Sequence, residues 1–316
     1  MKKIGFVFPG QGSQKVGMGE DLFESTESTK NKVIITNQLL NNNLTSLCIN
    51  GPQETLTKTE NAQPALFLVS AILLEHLEKE GIYPTIVAGH SLGELTAYYA
   101  SKVISFKDTL ELIKQRGKAM AAATPPESSG MAAVLGQSMS EINTIISPYA
   151  NAPVTIANIN CPGQIVISGE KQGLRKAINA LKEKKAKVIP LPVSGAFHSP
   201  LMENAKNHLQ KTVQKFSFSN ATYPIILNRT GKPESNAEQL KENISQQVTS
   251  SVQWVKSIEY MTSRCDLIIE CGSGKVLTGL IKKINPSIPT YSISNLQSMQ
   301  TVINDLMTTE GVRNGN

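Results

Sequence analysis

The ten residues TIVAGHSLGE (Thr85–Glu94) indicate the fold of this chain most directly. An apolar run leads into the motif G-x-S-x-G, and a helix-forming segment follows as far as Ala100. A strand, this motif and a helix in that order predict a nucleophile elbow, a sharp turn that exposes the Ser91 hydroxyl at a helix N-terminus. The amide of Leu92 would then point at a developing oxyanion. The alternative is a chance match to the motif in a loop.

Strands and helices alternate on both sides of this motif. Residues 4–8 form a short apolar run typical of a buried strand, and residues 64–77 and 106–123 carry helical apolar stripes. The run Leu267–Glu270 is expected to be the last strand. This alternation predicts an α/β fold with a mostly parallel sheet.

A composition break at residues 125–130 (PPESSG) precedes a different order of elements. The patterns that follow predict strands and helices in the order β-α-β-β-α-β, at residues 131–135, 140–146, 154–158, 164–168, 173–185 and 187–191. That order is typical of a ferredoxin-like unit. We therefore expect a small domain of residues 128–196 inserted into a larger α/β domain of residues 1–127 plus 197–316.

Bulk composition restricts the class of protein. The chain has 316 residues, a formal net charge of +6 and 40% hydrophobic residues. This mild basicity suits an acidic partner or a phosphate-bearing substrate, and it is too weak to indicate nucleic-acid binding. The lysines gathered at residues 171–187 are interpreted as a solvated helix face.

The cysteine pattern and the hydropathy of the chain indicate its cellular compartment and its possible metal sites. The four cysteines form no C-x-x-C pair, and with four scattered histidines they give no zinc-binding spacing. No apolar run approaches the ~20 residues that span a bilayer, and the apolar run after Met1 is too short for a signal peptide. We expect a soluble cytoplasmic protein without a metal or a membrane partner.

A serine nucleophile needs a base within hydrogen-bond reach. Of the four histidines, His198 is the best candidate, because it lies in a small-residue loop just after the predicted small domain, where pockets form between domains. A purely structural histidine is the alternative. No acid between Ser91 and His198 stands out as a third triad member, so either the triad is incomplete or a backbone carbonyl orients the imidazole.

Two further positions could serve such a site. The Gly-rich loop at residues 10–14 lacks the phosphate-binding patterns, but beside the elbow it could supply a second oxyanion amide from Gln11. Arg116 follows on the next helix. It is either a surface arginine or, if it points into the pocket, a bidentate partner for a carboxylate.

Together these residues resemble the malonyl-type acyltransferases, the family of the malonyl-CoA:acyl carrier protein transacylases. The matching stretches follow the family's order along the chain: FPGQGSQ at 8–14, GHSLGE at 89–94, QRGKAM at 115–120, ANIN with PGQ at 157–164, AFHSPLM at 196–202 and VLTGL at 276–280. One such motif is weak evidence, whereas six in order are highly specific.

The resemblance implies a hydrolase-like α/β core with an inserted ferredoxin-like domain. It also implies a role for each candidate: nucleophile for Ser91, base for His198, oxyanion amides for Gln11 and Leu92, the malonyl carboxylate contact for Arg116, and orientation of the histidine by the main-chain carbonyl of Gln247. That carbonyl would account for the missing triad acid. Phe197, directly before His198, resembles the residue at that position in malonyl-selective members of the family.

The implied activity is transfer of a malonyl group from malonyl-CoA to the phosphopantetheine thiol of acyl carrier protein, through a malonyl-serine intermediate, in fatty acid biosynthesis. No cofactor is implied, and we expect a monomer. The alternatives are an acyltransferase that loads polyketide synthase carrier domains, a serine esterase, and a non-catalytic module that binds carrier proteins.

The sequence departs from the family pattern at three places around the site. Ser251 and Ser273 stand where the family usually has proline, and Leu95 stands where an aromatic residue is common. These departures affect loops and not the reacting groups.

Overall fold

The computed structural model describes residues 2–125, 127–149, 153–193 and 195–311. The strands within these ranges are β1 (Ile4–Phe8), β2 (Ile86–Gly89), β3 (Ser129–Leu135), β4 (Val154–Cys161), β5 (Gln164–Glu170), β6 (Lys187–Pro190), β7 (Ile225–Ile226), β8 (Pro233–Glu234), β9 (Leu267–Cys271) and β10 (Thr290–Ile293). The α-helices are α1 (Glu27–Leu40), α2 (Leu44–Asn50), α3 (Gln53–Thr57), α4 (Thr59–Lys79), α5 (Leu92–Ala100), α6 (Phe106–Ala122), α7 (Met139–Ile146), α8 (Lys171–Glu183), α9 (Glu203–Thr212), α10 (Ala237–Gln247), α11 (Trp254–Thr262), α12 (Val276–Ile284) and α13 (Leu296–Gly311).

The larger sheet has six strands in the order β10-β9-β1-β2-β7-β8. All neighbours pair in parallel except β7 and β8, so the prediction of a mostly parallel α/β sheet is confirmed. The central strand β1 is apolar on both faces: Phe6 and Phe8 belong to one core cluster and Val7 to another. Helices therefore cover both sides of this sheet, as parallel sheets require.

The expectation that residues 267–270 form the last strand is wrong. Strand β10 follows and pairs in parallel with β9 at the edge of the sheet. Thr290, Tyr291 and Ser292 are only partly buried, and Ile293 alone is fully buried. An edge strand with one buried side chain has no apolar run, so its sequence carries little strand signal.

The smaller sheet is antiparallel, with the order β4-β5-β3-β6. Its elements follow one another as β3-α7-β4-β5-α8-β6. Along β3 the side chains alternate: Ala132 and Val134 pack in this sheet's own core with α7 and α8, whereas Met131 and Ala133 join the core cluster of the larger sheet.

The domain boundaries at 127/128 and 196/197 stay a prediction. Residues 1, 126, 150–152, 194 and 312–316 of those predicted domains lie outside the described residues. Within the described ranges, none of the helices has both the length and the apolar character needed to cross a membrane.

Candidate active site

The elbow between β2 and α5 has the backbone that its sequence predicts. Ser91 directly precedes α5 and has φ 53° and ψ −105°, a strained conformation for a residue with a side chain. The flanking glycines allow the chain to pass this closely: a Cβ on Gly89 would lie 1.9 Å from the Gly93 carbonyl group, and a Cβ on Gly93 would lie 2.0 Å from the Phe8 carbonyl oxygen. The turn therefore depends on glycine at both positions.

The structure brings Ser91 and His198 together. Oγ of Ser91 lies 2.7 Å from Nε2 of His198, which is a good hydrogen-bond distance. The histidine is buried in the loop after β6 and has a left-handed φ of 57°. Ser199 Oγ donates to the Ala196 carbonyl at 2.6 Å, and this bond stiffens the loop around the imidazole. A serine and a histidine at this distance can act as a nucleophile and its base.

Main-chain carbonyl oxygens orient the other side of the imidazole. Nδ1 of His198 lies 3.1 Å from the carbonyl oxygens of both Gln247 and Ser250. Gln247 is the last residue of α10, so its carbonyl has no partner within the helix. Because both neighbours are acceptors, the proton belongs on Nδ1 and leaves Nε2 free to accept from Ser91. The carbonyl of Gln247 is thus one of two main-chain acceptors on Nδ1, and its role as the orienting group stays a prediction.

The electrostatic setting keeps His198 neutral. Burial, helped by the Arg116 cation, lowers the pKa of His198 to about 3, against an ordinary value near 6.5. The imidazole is therefore in its basic form at neutral pH and does not need to lose a proton before it can act.

Arg116 points into the site instead of lying on the surface. It is only 1% exposed on α6, and its Nη2 donates to Ser91 Oγ at 3.2 Å and to Gln247 Oε1 at 2.9 Å. Its Nη1 donates to Gln63 Oε1 at 2.9 Å. Burial lowers the pKa of Arg116 to about 10, so the guanidinium is still charged at neutral pH.

All of these acceptors are uncharged. Among the described residues no carboxylate lies within ion-pair distance of Arg116, and its buried Nε has no hydrogen-bond partner. A guanidinium has five N–H donors and three are used here, so two remain for a further acceptor, on Nε and on Nη1. A buried cation beside a nucleophile, with neutral partners and spare donors, is suited to a substrate carboxylate.

Gln11 and Leu92 both line the cavity next to Ser91. Leu92 is the first residue of α5, so its N–H has no partner within the helix. No hydrogen bond between described residues uses the amide of Gln11 or of Leu92. The Gln11 side chain donates to Thr59 Oγ1 at 3.2 Å, which holds that loop against α4. Both amides are free for an oxyanion.

The cavity over Ser91 has a volume of about 250 Å³ and opens between the two sheets. Its polar floor comes from the elbow and the Gly-rich loop. Its apolar walls come from the smaller sheet, from the loop after β6 and from α12, and they include Met131, Ala133, Val166, Val193, Phe197 and Leu280. The cavity therefore has a polar end at Ser91 and apolar walls beyond it.

Several residues of the site gave no signal in the sequence. Gln63 contacts Arg116, and Asn228 accepts from the Ser91 amide through Oδ1 at 2.7 Å. Glu94, quoted above only as part of a motif, is fully buried beside them. The hydrogen-bond partners of these three residues lie 53 to 149 positions away in the chain, so no local pattern could reveal them.

Two of the three residues that depart from the family pattern form side-chain hydrogen bonds to neighbouring segments. Ser251 Oγ donates to the Ile156 carbonyl at 2.5 Å, which ties the segment after α10 to β4. Ser273 Oγ donates to the Ser13 carbonyl at 2.9 Å, in the loop that carries Gln11. Each serine thus fastens its loop with a hydrogen bond that proline cannot make.

The other histidines have different surroundings. His90 Nε2 lies 2.9 Å from Asn160 Oδ1, and His76 Nε2 lies 2.9 Å from Ser25 Oγ. Within the described part of the chain, no group of three or more His, Cys, Asp or Glu side chains is arranged to hold a metal ion.

The chain is similar to known proteins over nearly its whole length. The profile of the acyl transferase domain family matches residues 5–273. The sequence is 39% identical over 311 residues to the malonyl CoA-acyl carrier protein transacylase of Bacillus subtilis strain 168, covering 97% of this chain and 98% of that protein. It is 37% identical over 304 residues to the protein of the same name from Staphylococcus aureus strain MW2, covering 95% of this chain and 98% of that protein.

Solved structures give the same result. The malonyl CoA-acyl carrier protein transacylase of Clostridium perfringens superposes with a TM-score of 0.93 at 35% identity, covering 99% of this chain and 100% of that one. A malonyl-transacylase in complex with the holo acyl-carrier protein of a type II polyketide synthase superposes with a TM-score of 0.92 at 32% identity. The match covers 96% of this chain and 99% of that one.

Proposed function

This chain belongs to the acyl transferase domain family, and we propose that it transfers the malonyl group of malonyl-CoA to the phosphopantetheine thiol of acyl carrier protein in fatty acid biosynthesis. The proposal follows the names of its relatives and rests on one observation of its own site. That observation is the buried Arg116, whose hydrogen-bond partners are all neutral and whose Nη2 lies 3.2 Å from Ser91 Oγ.

Arg116 supports a substrate that carries a free carboxylate. In a malonyl ester on Ser91, one methylene separates the acyl carbon from the carboxylate, so the carboxylate can fold back to a guanidinium that already contacts Oγ. The spare donors of Arg116 then form charge-assisted hydrogen bonds with the carboxylate, and burial of the guanidinium strengthens them. An esterase for simple esters has no use for this cation.

The first half-reaction forms the acyl-enzyme. Ser91 Oγ attacks the thioester carbonyl of malonyl-CoA while His198 Nε2, 2.7 Å away, accepts the hydroxyl proton. The tetrahedral oxyanion is stabilised by the amides of Gln11 and Leu92. The C–S bond then breaks, and His198 returns the proton to the departing CoA thiolate, leaving malonyl-Ser91 and free CoA thiol.

The second half-reaction reverses these roles. The phosphopantetheine thiol gives its proton to His198 as the sulfur attacks the ester carbonyl, and the same two amides stabilise the oxyanion. The C–O bond to Ser91 breaks and His198 protonates Oγ. The Gln247 and Ser250 carbonyls, at 3.1 Å from Nδ1, keep the ring in place through both halves.

We also propose that the enzyme acts as a cytoplasmic monomer. Its scattered cysteines agree with a reducing compartment, since the described structure has Cys48, Cys161, Cys265 and Cys271 free and buried. The net charge of +6 suits an acidic carrier protein.

The acyl-enzyme provides the direct test. After the protein is mixed with malonyl-CoA, mass spectrometry of the intact chain and of its peptides should find a malonyl adduct on Ser91. Adding holo acyl carrier protein should move the adduct to the carrier, and Ser91→Ala should form none. An unmodified Ser91 would overturn the proposal. So would hydrolysis of malonyl-Ser91 that is as fast as transfer of the malonyl group to the carrier.

A second candidate is favoured by one comparison. Because one solved neighbour is bound to a type II polyketide synthase carrier, the carrier loaded here could also be of that class. Transfer rates to a fatty-acid carrier and to a polyketide carrier, measured from the same malonyl-Ser91 preparation, separate the two. A faster fatty-acid carrier supports the first assignment, and a faster polyketide carrier replaces it.

A further inference from the structure

A buried carboxylate next to the elbow takes no part in the mechanism above. Glu94 lies on the first turn of α5, three residues after Ser91, and is 0% exposed. Among the described residues no cation lies within ion-pair distance of it. A fully buried carboxylate without an ion pair costs stability, so its presence beside the nucleophile needs an explanation.

The hydrogen bonds around Glu94 indicate whether its carboxyl group is ionised or protonated. Its Oε2 accepts from the main-chain N–H of Asn228, which can only donate. Its Oε1 accepts from Asn243 Nδ2 at 2.7 Å. The direction of this second bond is fixed, because Tyr98 gives its own hydroxyl proton to the Leu240 carbonyl at 2.8 Å and must accept from Asn243 at 3.2 Å. Both oxygens of Glu94 therefore face donors, as an ionised carboxylate requires.

Asn228 connects Glu94 to the nucleophile. Its Oδ1 accepts from the Ser91 N–H at 2.7 Å, and its Nδ2 donates to the Gly89 carbonyl at 2.6 Å. Both directions are again fixed, because one partner is an amide proton and the other a carbonyl oxygen. One side chain thus binds the main chain on both sides of His90 and fixes the turn that leads into Ser91. The backbone of Asn228 is in turn bound by Glu94.

We propose that the ionised carboxylate of Glu94 is a positioning group for Ser91, which holds the elbow in its reactive geometry through Asn228. The inference rests on the proposed acyl transfer, because it concerns how well Ser91 is placed for attack. A shift of the nucleophile by about 1 Å can cost about 100-fold in rate, so a bracket of this kind matters to the chemistry and not only to the fold.

Protonation of Glu94 would weaken its hydrogen bonds to Asn228 and Asn243. The protonated oxygen would turn an O–H group toward an N–H donor, and the carboxyl group would lose its negative charge. Burial raises the pKa of Glu94 to about 7, against the opposing effects of Asn228, Asn243, Arg116 and Gln247. The charged or titratable groups that face it are Arg116 from α6 and Tyr98 from its own helix. Since the pKa of His198 is lowered to about 3, an acid limb of activity near neutral pH would report Glu94 and not the base.

The test uses the acylation half-reaction alone, so that ionisation of the acceptor thiol plays no part. Rapid-quench mass spectrometry measures the second-order rate of malonyl-Ser91 formation between about pH 5 and pH 9, at malonyl-CoA concentrations below the KM, because that rate reports groups of the free enzyme. The wild type should lose rate as the pH falls through about 7. Glu94→Gln should be slower by about 10- to 100-fold at pH 8 and should lack that inflection, with the KM for malonyl-CoA little changed.

The matched control is Glu75→Gln, which removes a carboxylate on α4 that pairs with Lys32 of α1 and with Lys79 of its own helix. It should keep the wild-type rate and the wild-type acid limb. Glu94→Gln with the wild-type rate, or with the wild-type inflection, overturns the inference. A wild type that forms no malonyl-Ser91 at any pH overturns the proposed function instead.

A second variant covers the case in which Glu94→Gln does not fold, as judged by its thermal transition. Asn243→Leu removes one donor from Glu94 and leaves the Asn228 bracket and the Tyr98 bond to Leu240 intact. Losing that donor should raise the pKa of Glu94, so the acid limb should move up by about one pH unit while the plateau rate stays near the wild type. An acid limb that does not move contradicts the role of Glu94.

Discussion

The main-chain carbonyl oxygen of Gln247 lies 3.1 Å from Nδ1 of His198, where serine hydrolases place a carboxylate. A carbonyl at the C-terminus of a helix offers a partial negative charge and fixes the ring without an ionised side chain. Because it stabilises the imidazolium less than an aspartate would, it agrees with the lowered pKa of His198. The base is thus oriented by the backbone, and side-chain substitutions at Gln247 leave it in place.

Gln247→Ala should separate orientation of the base from recognition of the substrate. The variant keeps the carbonyl on His198 and loses two side-chain bonds, from Arg116 Nη2 to Oε1 and from Nε2 to the Ser91 carbonyl at 3.0 Å. The loss at Ser91 affects both substrates, so only the ratio of the two rates reports the bond to Arg116. We expect the ratio of malonyl to acetyl transfer to fall by about tenfold, which corresponds to one hydrogen bond to a charged group. Rates with malonyl-CoA and acetyl-CoA give this ratio. Gln246→Ala, which loses only an exposed bond to Glu242, should leave it unchanged.

Arg116→Ala should reduce malonyl transfer by about 100-fold and acetyl transfer much less, because acetyl has no carboxylate for the guanidinium. Kinetics with the two CoA esters measure this difference. Arg116→Lys keeps the charge but loses the planar donor set, so it should recover only part of the malonyl rate. Equal losses with both substrates would remove Arg116 from carboxylate recognition.

Gly93→Ala should abolish acylation and lower the thermal transition by several degrees. The added Cβ would lie 2.0 Å from the Phe8 carbonyl oxygen, so β1 and the elbow would have to move apart. Scanning calorimetry and the malonyl adduct assay measure the two effects. The matched change Gly279→Ala on α12 meets no atom within 4 Å and should be stabilising by up to about 1 kcal/mol.

Glu75→Gln should destabilise the protein in a pH-dependent way. Burial alone would raise the pKa of Glu75, but hydrogen bonds from Lys32 and Lys79 lower it to about 2. A lowered carboxyl pKa contributes stability above the unfolded value of 4.5, and that stability is lost as the pH falls toward about 2. Urea unfolding at pH 7 should show a loss of about 1 kcal/mol, since the pair is partly exposed to solvent. The difference between variant and wild type should disappear near pH 2, and a constant difference would contradict this assignment.

The parts of the fold that follow from local chemistry could be predicted from the sequence. A five-residue apolar run such as Ile4–Phe8 predicts a strand buried on both faces, and G-x-S-x-G between a strand and a helix predicts one tight turn. The edge strand β10 could not be predicted in this way, because its half-exposed side chains do not differ from those of a loop.

For the site, the chemical types can be named from the amino-acid order alone: a serine on a strained turn, a histidine in the loop after β6, and an arginine on the second helix after the elbow. The folded chain is needed to see that Arg116 turns inward to Ser91 and that Glu94 and Asn228 hold the elbow. This difference follows from distance along the chain. A turn is specified by neighbouring residues, whereas the bond from Ser91 to Asn228 spans 137 positions and exists only when the sheet and its helices are packed together.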